Sequence, residues 1–505
     1  MVPKLIAVIG ASGYVGSRLV PRLVKEGYRV RAIARSQSHL QVRPWSAHSA
    51  IEMQRADVLD REALARTCVG CDAAYYLVHS MHYSNKRFAE IDATAARNMA
   101  RAAEDAGLKR IIYLGGLGDE HAQLSRHLRS RAEVARILQS GKVPVTVLRA
   151  AMIIGKGSAS YEILRYLAER LPVMITPRWV HTECQPIAIE NALNYLVRCL
   201  DTPETAGDIF DIGGPEIVTY RDLFDLYAEL ICLPKRLIVP VPVLTPRLSS
   251  YWIHFVTPVP GSLARPLAEG LRNRVVCKDH RIRDLIPQQL LSCREAIQHT
   301  LEETDSDLDS NMMLSHPERA FPGDPQWAYG TVFTTHRQID LKVTAEEMWN
   351  VFRSIGGKNN WYFARWLWKL RAFMDVCMGG IGMRSGRSNR SGIAERDTID
   401  FWRVTAVEAL KHLVMVAEMK LPGKAVLKFR IVSEDESSIE LHQTEEFHPK
   451  GLGGIVYYYI VYPLHQLLFQ GMLRTIAGRA KRASDARHDV KPGTQGAKND
   501  SGHTN

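Results

Sequence analysis

The stretch LSRHLRSRAEVARIL, residues 124–138, sets His127 and Arg131 four positions apart in what its apolar spacing predicts to be a helix. Residues at that separation share one helical face, so an imidazole and a guanidinium can meet the same ligand there. Imidazole exchanges protons near neutral pH, and guanidinium forks onto phosphates. Proton transfer, ligand binding by the pair and a surface or packing role all stay open on this stretch alone. A second group of residues narrows the choice. The run GASGYVG follows the apolar strand LIAVIG and carries Gly10, Gly13 and Gly16, with Ser12, Tyr14 and Val15 between them. Glycines there allow a tight turn and let bare backbone approach a pyrophosphate, whose charge meets the amides and positive dipole of the next helix. Strand, glycines and helix in that order form a far stronger signal than a glycine triplet alone.

The second strand selects the dinucleotide. Sites for the unphosphorylated cofactor offer an acidic residue about 20 positions past the glycines, to bond the ribose hydroxyls. No Asp or Glu occurs between Glu26 and Glu52, while Arg31 and Arg35 flank the strand's end. An arginine there can clamp a 2′-phosphate, so NADP(H) is the expected cofactor and Arg35 its selector.

Other candidates carry less. Cys68 and Cys71 form a Cys-x-x-Cys, but they straddle a helix end and the apolar run AAYYLV, which fits packing better than redox or metal chemistry. His79 and His82 lack the carboxylate or cysteine partners of a metal site, and no metal is expected. The 8 cysteines show no repeated spacing, as in a reduced, intracellular protein, and the N-terminus lacks the long apolar region of a signal peptide. A net charge of +11 favours phosphates or an anionic membrane surface as partners. Zinc-finger spacing and basic-region heptads are missing and the charge is scattered, so nucleic acid is not expected.

These groups need elements to position them. A chain of 505 residues, 46% apolar, is too long for one core and implies two or three domains. Up to residue 301, strands such as RVRAIA, IEMQRAD, RIIYLG and PVTVLRA alternate with amphipathic segments. That alternation predicts an α/β domain, a doubly wound parallel sheet with its binding crevice at the carboxyl ends of the strands. Residues 302–329 are polar, acidic at the start, and read as a linker. Residues 330–483 turn to long alternating strands with a capping box, Thr344 and Glu347, and a type II turn at Pro422 and Gly423 joining two strands in a hairpin. This predicts a separate α+β domain. Its final apolar segment, from 452 to about 478, is interrupted by Pro463, His465, Gln466 and Gln470. A core helix across the sheet fits that pattern best, with a membrane-surface helix or a span as alternatives. A polar, disordered tail is expected over 484–505.

The first 300 positions resemble the atypical and extended short-chain dehydrogenase/reductases, the group of NmrA-like and epimerase-like Rossmann proteins. The resemblance rests on the GxxGxxG spacing, ADVLD after the third strand, YYLVHSM after the fourth and RIIYLGGLG at the fifth. Within that group, YLGGLG, HLRSR and PVMITPRWV resemble a branch of bacterial NAD(P)-binding proteins with a second domain fused behind. It implies that Asp57 and Val58 contact the adenine, and that Val78, His79 and Ser80 line the nicotinamide side. The chain departs from the family's catalytic pattern. Where that pattern has Ser and Tyr-x-x-x-Lys, this chain has Gly115 or Gly116, His127 and Arg131. Arginine beside histidine favours the neutral imidazole, which can still donate a hydrogen bond to a carbonyl. His127 and Arg131 are therefore the catalytic candidates, by a route other than the family's.

The region from about 330 to 477 resembles START-like, polyketide-cyclase-like helix-grip domains, which implies an apolar cavity and a hydrophobic or lipid-like ligand. NNWYFARWLWKLRAFMDV, residues 359–376, suits core packing, a cavity lid or a membrane-facing patch. The expected function is an NADP(H)-dependent oxidoreductase acting on a hydrophobic carbonyl or enone. A protein that senses NADP(H) or binds a hydrophobic ligand without turnover is the alternative. The expected location is the cytoplasm, with peripheral contact at the inner membrane face as an option.

Overall fold

The computed structural model describes residues 4–79, 88–119, 123–241, 256–308, 331–355 and 392–488 except 434 and 436, with the single positions 366, 373 and 376. The chain divides into two units, Met1–Thr331 and Val332–Asn505.

The first unit is built on seven strands: β1 (Leu5–Ile9), β2 (Arg29–Ala34), β3 (Ile51–Arg55), β4 (Ala73–Tyr76), β5 (Arg110–Gly116), β6 (Val145–Ala150) and β7 (Ile209–Ile212). They lie in the order β7-β6-β5-β4-β1-β2-β3, and every neighbouring pair is parallel. Parallel sheets bury both faces, which is why β1 reads as an unbroken apolar run. Its side chains serve two cores. Ile6 and Val8 point into one, and Leu5, Ala7 and Ile9 into the other.

The chain reverses its direction of travel across the sheet between β1 and β4, and a crevice opens at such a switch point. The helices that matter for it are α1 (Tyr14–Lys25), α2 (Arg61–Cys68), α3 (Phe88–Asp105), α4 (Arg126–Gln139), α5 (Ala159–Arg170), α6 (Ile189–Arg198), α7 (Tyr220–Leu230), α8 (Gly261–Gly270) and α9 (Cys293–Leu308). The linker expected from residue 302 thus begins inside a helix. Neither glycine nor proline interrupts α9; residues 309–329 lie outside the described residues.

The second unit is an antiparallel sheet of six strands, β8 (Phe333–Leu341), β9 (Thr398–Ile399), β10 (Trp402–Glu408), β11 (His412–Ala417), β12 (Gly423–Ser433) and β13 (Ile439–Pro449), in the order β8-β13-β12-β11-β10-β9. Helix α10 (Ala345–Arg353) opens on the expected capping box of Thr344 and Glu347. Helix α11 (Gly451–His488) presses Phe469, Met472, Leu473 and Ile476 into the same core as Phe429 and Leu441 of the sheet. Of the three readings of this segment, the core helix describes its C-terminal half. No helix of the described residues is long and apolar enough to cross a membrane.

Two local expectations need correcting. β11 and β12 do form a hairpin, but Gly423 is not in a type II turn: its φ is 157°, nearly extended, and it already belongs to β12. A Cβ at Gly423 would stand 2.4 Å from the His448 carbonyl oxygen, so close strand approach is what requires glycine there. The tail expected from residue 484 is helical through His488, because neither glycine nor proline occurs between Gly478 and Pro492. Residues 489–505 and most of 359–376 lie outside the described residues.

Candidate functional site

The loop from β1 into α1 is shaped by its glycines. Gly10 has φ +93°, and a Cβ there would lie 2.9 Å from the Leu77 carbonyl oxygen. A Cβ at Gly16 would lie 2.3 Å from the Gly10 carbonyl oxygen, so α1 packs against its own loop only without a side chain. Gly13 is the N-cap of α1, supplies no side chain to it, and leaves the helix's first amides to a ligand. The segment after β2 braces this loop. The buried Arg43 donates to the Ser12 carbonyl, and Trp45 Nε1 donates to the Ser17 carbonyl at 2.9 Å.

The two arginines proposed for the ribose end have separate fates. Arg31 is spent on structure: Nε and Nη2 meet Glu52 at 3.0 and 2.9 Å, and Nη1 donates to the Thr67 and Val69 carbonyls. It is therefore excluded as a phosphate clamp. Arg35 is exposed and lines the cavity. Asp57 lines it too, its carboxylate accepting from Leu59 N at 3.0 Å, while Asn98 on α3 donates to the Val58 and Leu59 carbonyls and holds that loop in place.

At the far end of the nucleotide crevice, β4, α3, β5 and α4 bring together a buried polar group. Ser125 caps α4, its hydroxyl accepting from Leu128 N, which sets His127 and Arg131 on the face turned to β5. His127 Nδ1 lies 3.1 Å from His79 Nε2. His79 Nδ1 in turn lies 3.5 Å from Asp92 Oδ2, which also accepts from Ser130 Oγ at 3.1 Å. Burial, then His79, then Arg131 hold the His127 imidazole well below its ordinary pKa, so it is neutral at pH 7. Arg131 donates to the Leu114 carbonyl at 2.9 Å. It and Leu128 fill the space beside Gly116, where a Cβ would meet Leu128 at 3.0 Å and Arg131 at 3.4 Å. A serine at that strand end would need Leu128 and Arg131 to give way by a few tenths of an ångström.

One cavity of about 900 Å³ joins these parts. Gly10, Ser12, Gly13, Tyr14, Val15, Gly16, Arg35, Asp57, Val58, Val78, His79, His127 and Arg131 all line it. Ser80 and His82 lie outside the described residues. The cavity continues past His127 into an apolar end formed by Leu164 and Leu167 of α5, Phe224 of α7, Leu263 and Leu267 of α8, and Trp179. Sequence reasoning missed that wall and Asp92. The signal for Asp92 was an acid on the face of α3 that otherwise presents Ala95, Ala96 and Met99 to the core. Cys68 and Cys71 are buried free thiols. Burial raises both, Cys68 to about 12, which makes them packing residues with no reactive thiolate at neutral pH. Among the described residues no group of three His, Cys, Asp or Glu side chains could hold a metal.

Fold and crevice together define a class, a doubly wound Rossmann-type domain with its cavity at the carboxyl ends of the strands. Residues 10–173 match the family described as NAD(P)H-binding. Residues 327–472 match a family described as "Protein of unknown function (DUF2867)". Among curated proteins, the chain is 32% identical to cinnamoyl-CoA reductase 2 of Arabidopsis thaliana over 120 residues, 23% of this chain and 36% of that protein. It is 23% identical over 245 residues to the mitochondrial NADH dehydrogenase [ubiquinone] 1 alpha subcomplex subunit 9 of the same plant, 47% of this chain and 60% of that one. The chain thus spans less than two thirds of either relative. A solved structure of an NADPH-dependent quinone oxidoreductase from Escherichia coli, complexed with NADPH, aligns with a TM-score of 0.48 at 19% identity, covering 59% of this chain and 99% of that one.

Proposed function

We propose that the first unit is an NADP(H)-dependent oxidoreductase that reduces a hydrophobic carbonyl or enone. One observation carries this reading: a single cavity runs from the glycine loop, past His79 and His127, to an apolar wall. The residues fit the dinucleotide. A Cβ would fill the cradle at Gly10 and Gly16, and the start of α1 faces the place of the pyrophosphate. Arg35 chooses the phosphorylated form, its fork suiting a 2′-phosphate. Asp57 and Val58 would contact the adenine, and Val78 and His79 the nicotinamide, all four lining the cavity. The bound cofactor supplies the hydride; the chain's own side chains position the acceptor and handle its proton. Leu164, Leu167, Phe224, Leu263 and Leu267 exclude water from the acceptor's body, and Arg131 orients it. The similarity to a cinnamoyl-CoA reductase supports reduction as the reaction type.

Stopped-flow loss of NADPH absorbance against a panel of ketones and enones tests this. Substrate-dependent oxidation is expected, and none across the panel would overturn it. The glycines and His127 at the family's catalytic positions favour a second reading, a protein that senses NADP(H) by binding it; that reading keeps the binding and loses the turnover.

For the second unit we propose a helix-grip domain of START-like form; the hollow between α11 and its sheet is about 40 Å³ among the described residues, so the hydrophobic or lipid-like ligand that this form implies would have to open it. The six-stranded antiparallel sheet with α11 packed across it supports that reading. Peripheral contact with a membrane through the outward side of α11, where Tyr459, Ile460 and Leu467 are exposed, belongs to the same proposal.

A further inference from the structure

We propose that Asp92, His79 and His127 form a proton relay in which His79, and not His127, stores the proton delivered to the substrate. The inference rests on the reductase reading above and names how its proton is handled. Three observations lead to it. His127 lines the cavity and is buried with only 8% of its surface exposed. Its Nδ1 is taken by His79 Nε2 at 3.1 Å, which leaves Nε2 as the nitrogen for a ligand. Behind His79 stands the buried carboxylate of Asp92, held by Ser130.

These contacts fix what each nitrogen must do. A neutral His127 can give a hydrogen bond from Nε2 only if its Nδ1 accepts one. Among the described residues the donor placed for that is His79 Nε2–H. His79 must then carry its second proton on Nδ1, facing Asp92, and is an imidazolium paired with a carboxylate. The cluster as a whole is neutral, which is the arrangement that burial tolerates. Arg131, Tyr76 and Tyr113 face the same group, and Arg131 is the cation that keeps the positive charge off His127 and on the side of Asp92.

The proton balance closes. When the acceptor carbon gains a hydride, its oxygen becomes negative and takes the proton from His127 Nε2. His127 Nδ1 takes the proton from His79 Nε2. His79 is left neutral with Nδ1–H toward Asp92; the resting state returns when His127 Nε2 takes one proton from water and His127 Nδ1 hands its proton back to His79 Nε2. His127 is neutral before and after the transfer, so its depressed basicity is no obstacle. His127 is the catalytic residue; His79 and Asp92 act through it.

Imidazole nitrogen NMR on the apo protein tests this with no turnover required. At pH 7 His79 should carry protons on both nitrogens and His127 on Nε2 alone. Asp92→Asn should leave His79 neutral at pH 7, and in single-turnover reduction should slow the NADPH oxidation about 10- to 100-fold with little change in KM. A wild-type spectrum with His79 singly protonated would overturn the relay even if the enzyme turns over. Unchanged His79 protonation in Asp92→Asn would overturn it as well. A protein that binds NADPH, reduces nothing on the panel and still shows the doubly protonated His79 would count against the reductase reading alone.

Discussion

The two sheets of this chain put their polar residues to different uses. In the parallel sheet the strands end together, and the groups at their carboxyl ends face an open cavity of about 900 Å³. In the antiparallel sheet the comparable polar groups close on one another. Arg337 of β8 pairs with Glu445 of β13 and with Gln466 of α11, and the hollow beside them measures only about 40 Å³, one or two waters. A buried charge with its partner in place is a structural element. The first unit leaves its polar groups turned toward a ligand, as a binding site requires.

Removing one partner of the closed pair should have the largest effect. Arg337→Met strands Glu445, which is 13% exposed in its side chain and already raised by burial. We expect a loss of about 3–5 kcal/mol in the second unit. Hydrogen exchange should show it as lost protection in β8, β12 and β13, with β1 and β4 unchanged. Equal loss in both sheets would break the comparison.

The first unit offers a carboxylate of the opposite kind. Glu162 on α5 is fully buried; one oxygen accepts from Gly157 N at 2.9 Å, the other takes no hydrogen bond, and Arg165 stands 3.5 Å off. Burial pushes it up to about 7. Its folded form binds a proton more tightly than the unfolded chain does. The stabilisation is therefore full below about pH 4.5 and lost as pH rises to 7, a change of about 3 kcal/mol at most. Denaturant midpoints at pH 5 and pH 8 should differ by that much more in the wild type than in Glu162→Gln. Parallel pH curves for the two proteins would contradict it.

Binding variants sharpen the comparison at the open site. Gly13→Asp puts a good N-cap on α1 but a carboxylate against the pyrophosphate, so the fold should survive while NADPH affinity falls about 100-fold, some 2.7 kcal/mol. Fluorescence titration beside a melting curve checks both halves; unchanged affinity would remove the glycine loop as the site. Arg35→Asp should have the smallest effect, about a tenfold swing from NADPH toward NADH in the ratio of the two dissociation constants. An unmoved ratio would count against Arg35 as the selector.

What could be read from the sequence follows from how local each feature is. The glycine loop, the capping box at Thr344 and the strand alternation are set within a few residues, and they stand where the spacing put them. The fate of Arg31 depended on register. Only when β2 and β3 pair does Arg31 fall opposite Glu52. The apolar wall draws on residues near 164, 224 and 263, and Asp92 meets His79 across two elements; no window of sequence contains either. The hairpin at Gly423 was legible as a reversal, but the reason for its glycine lay in the partner strand's His448 carbonyl.

Titration calorimetry of the intact protein with NADPH, with NADH as the control, tests the central claim most directly. The account predicts one site that binds NADPH more tightly than NADH. Heats no larger than dilution for NADPH would contradict it.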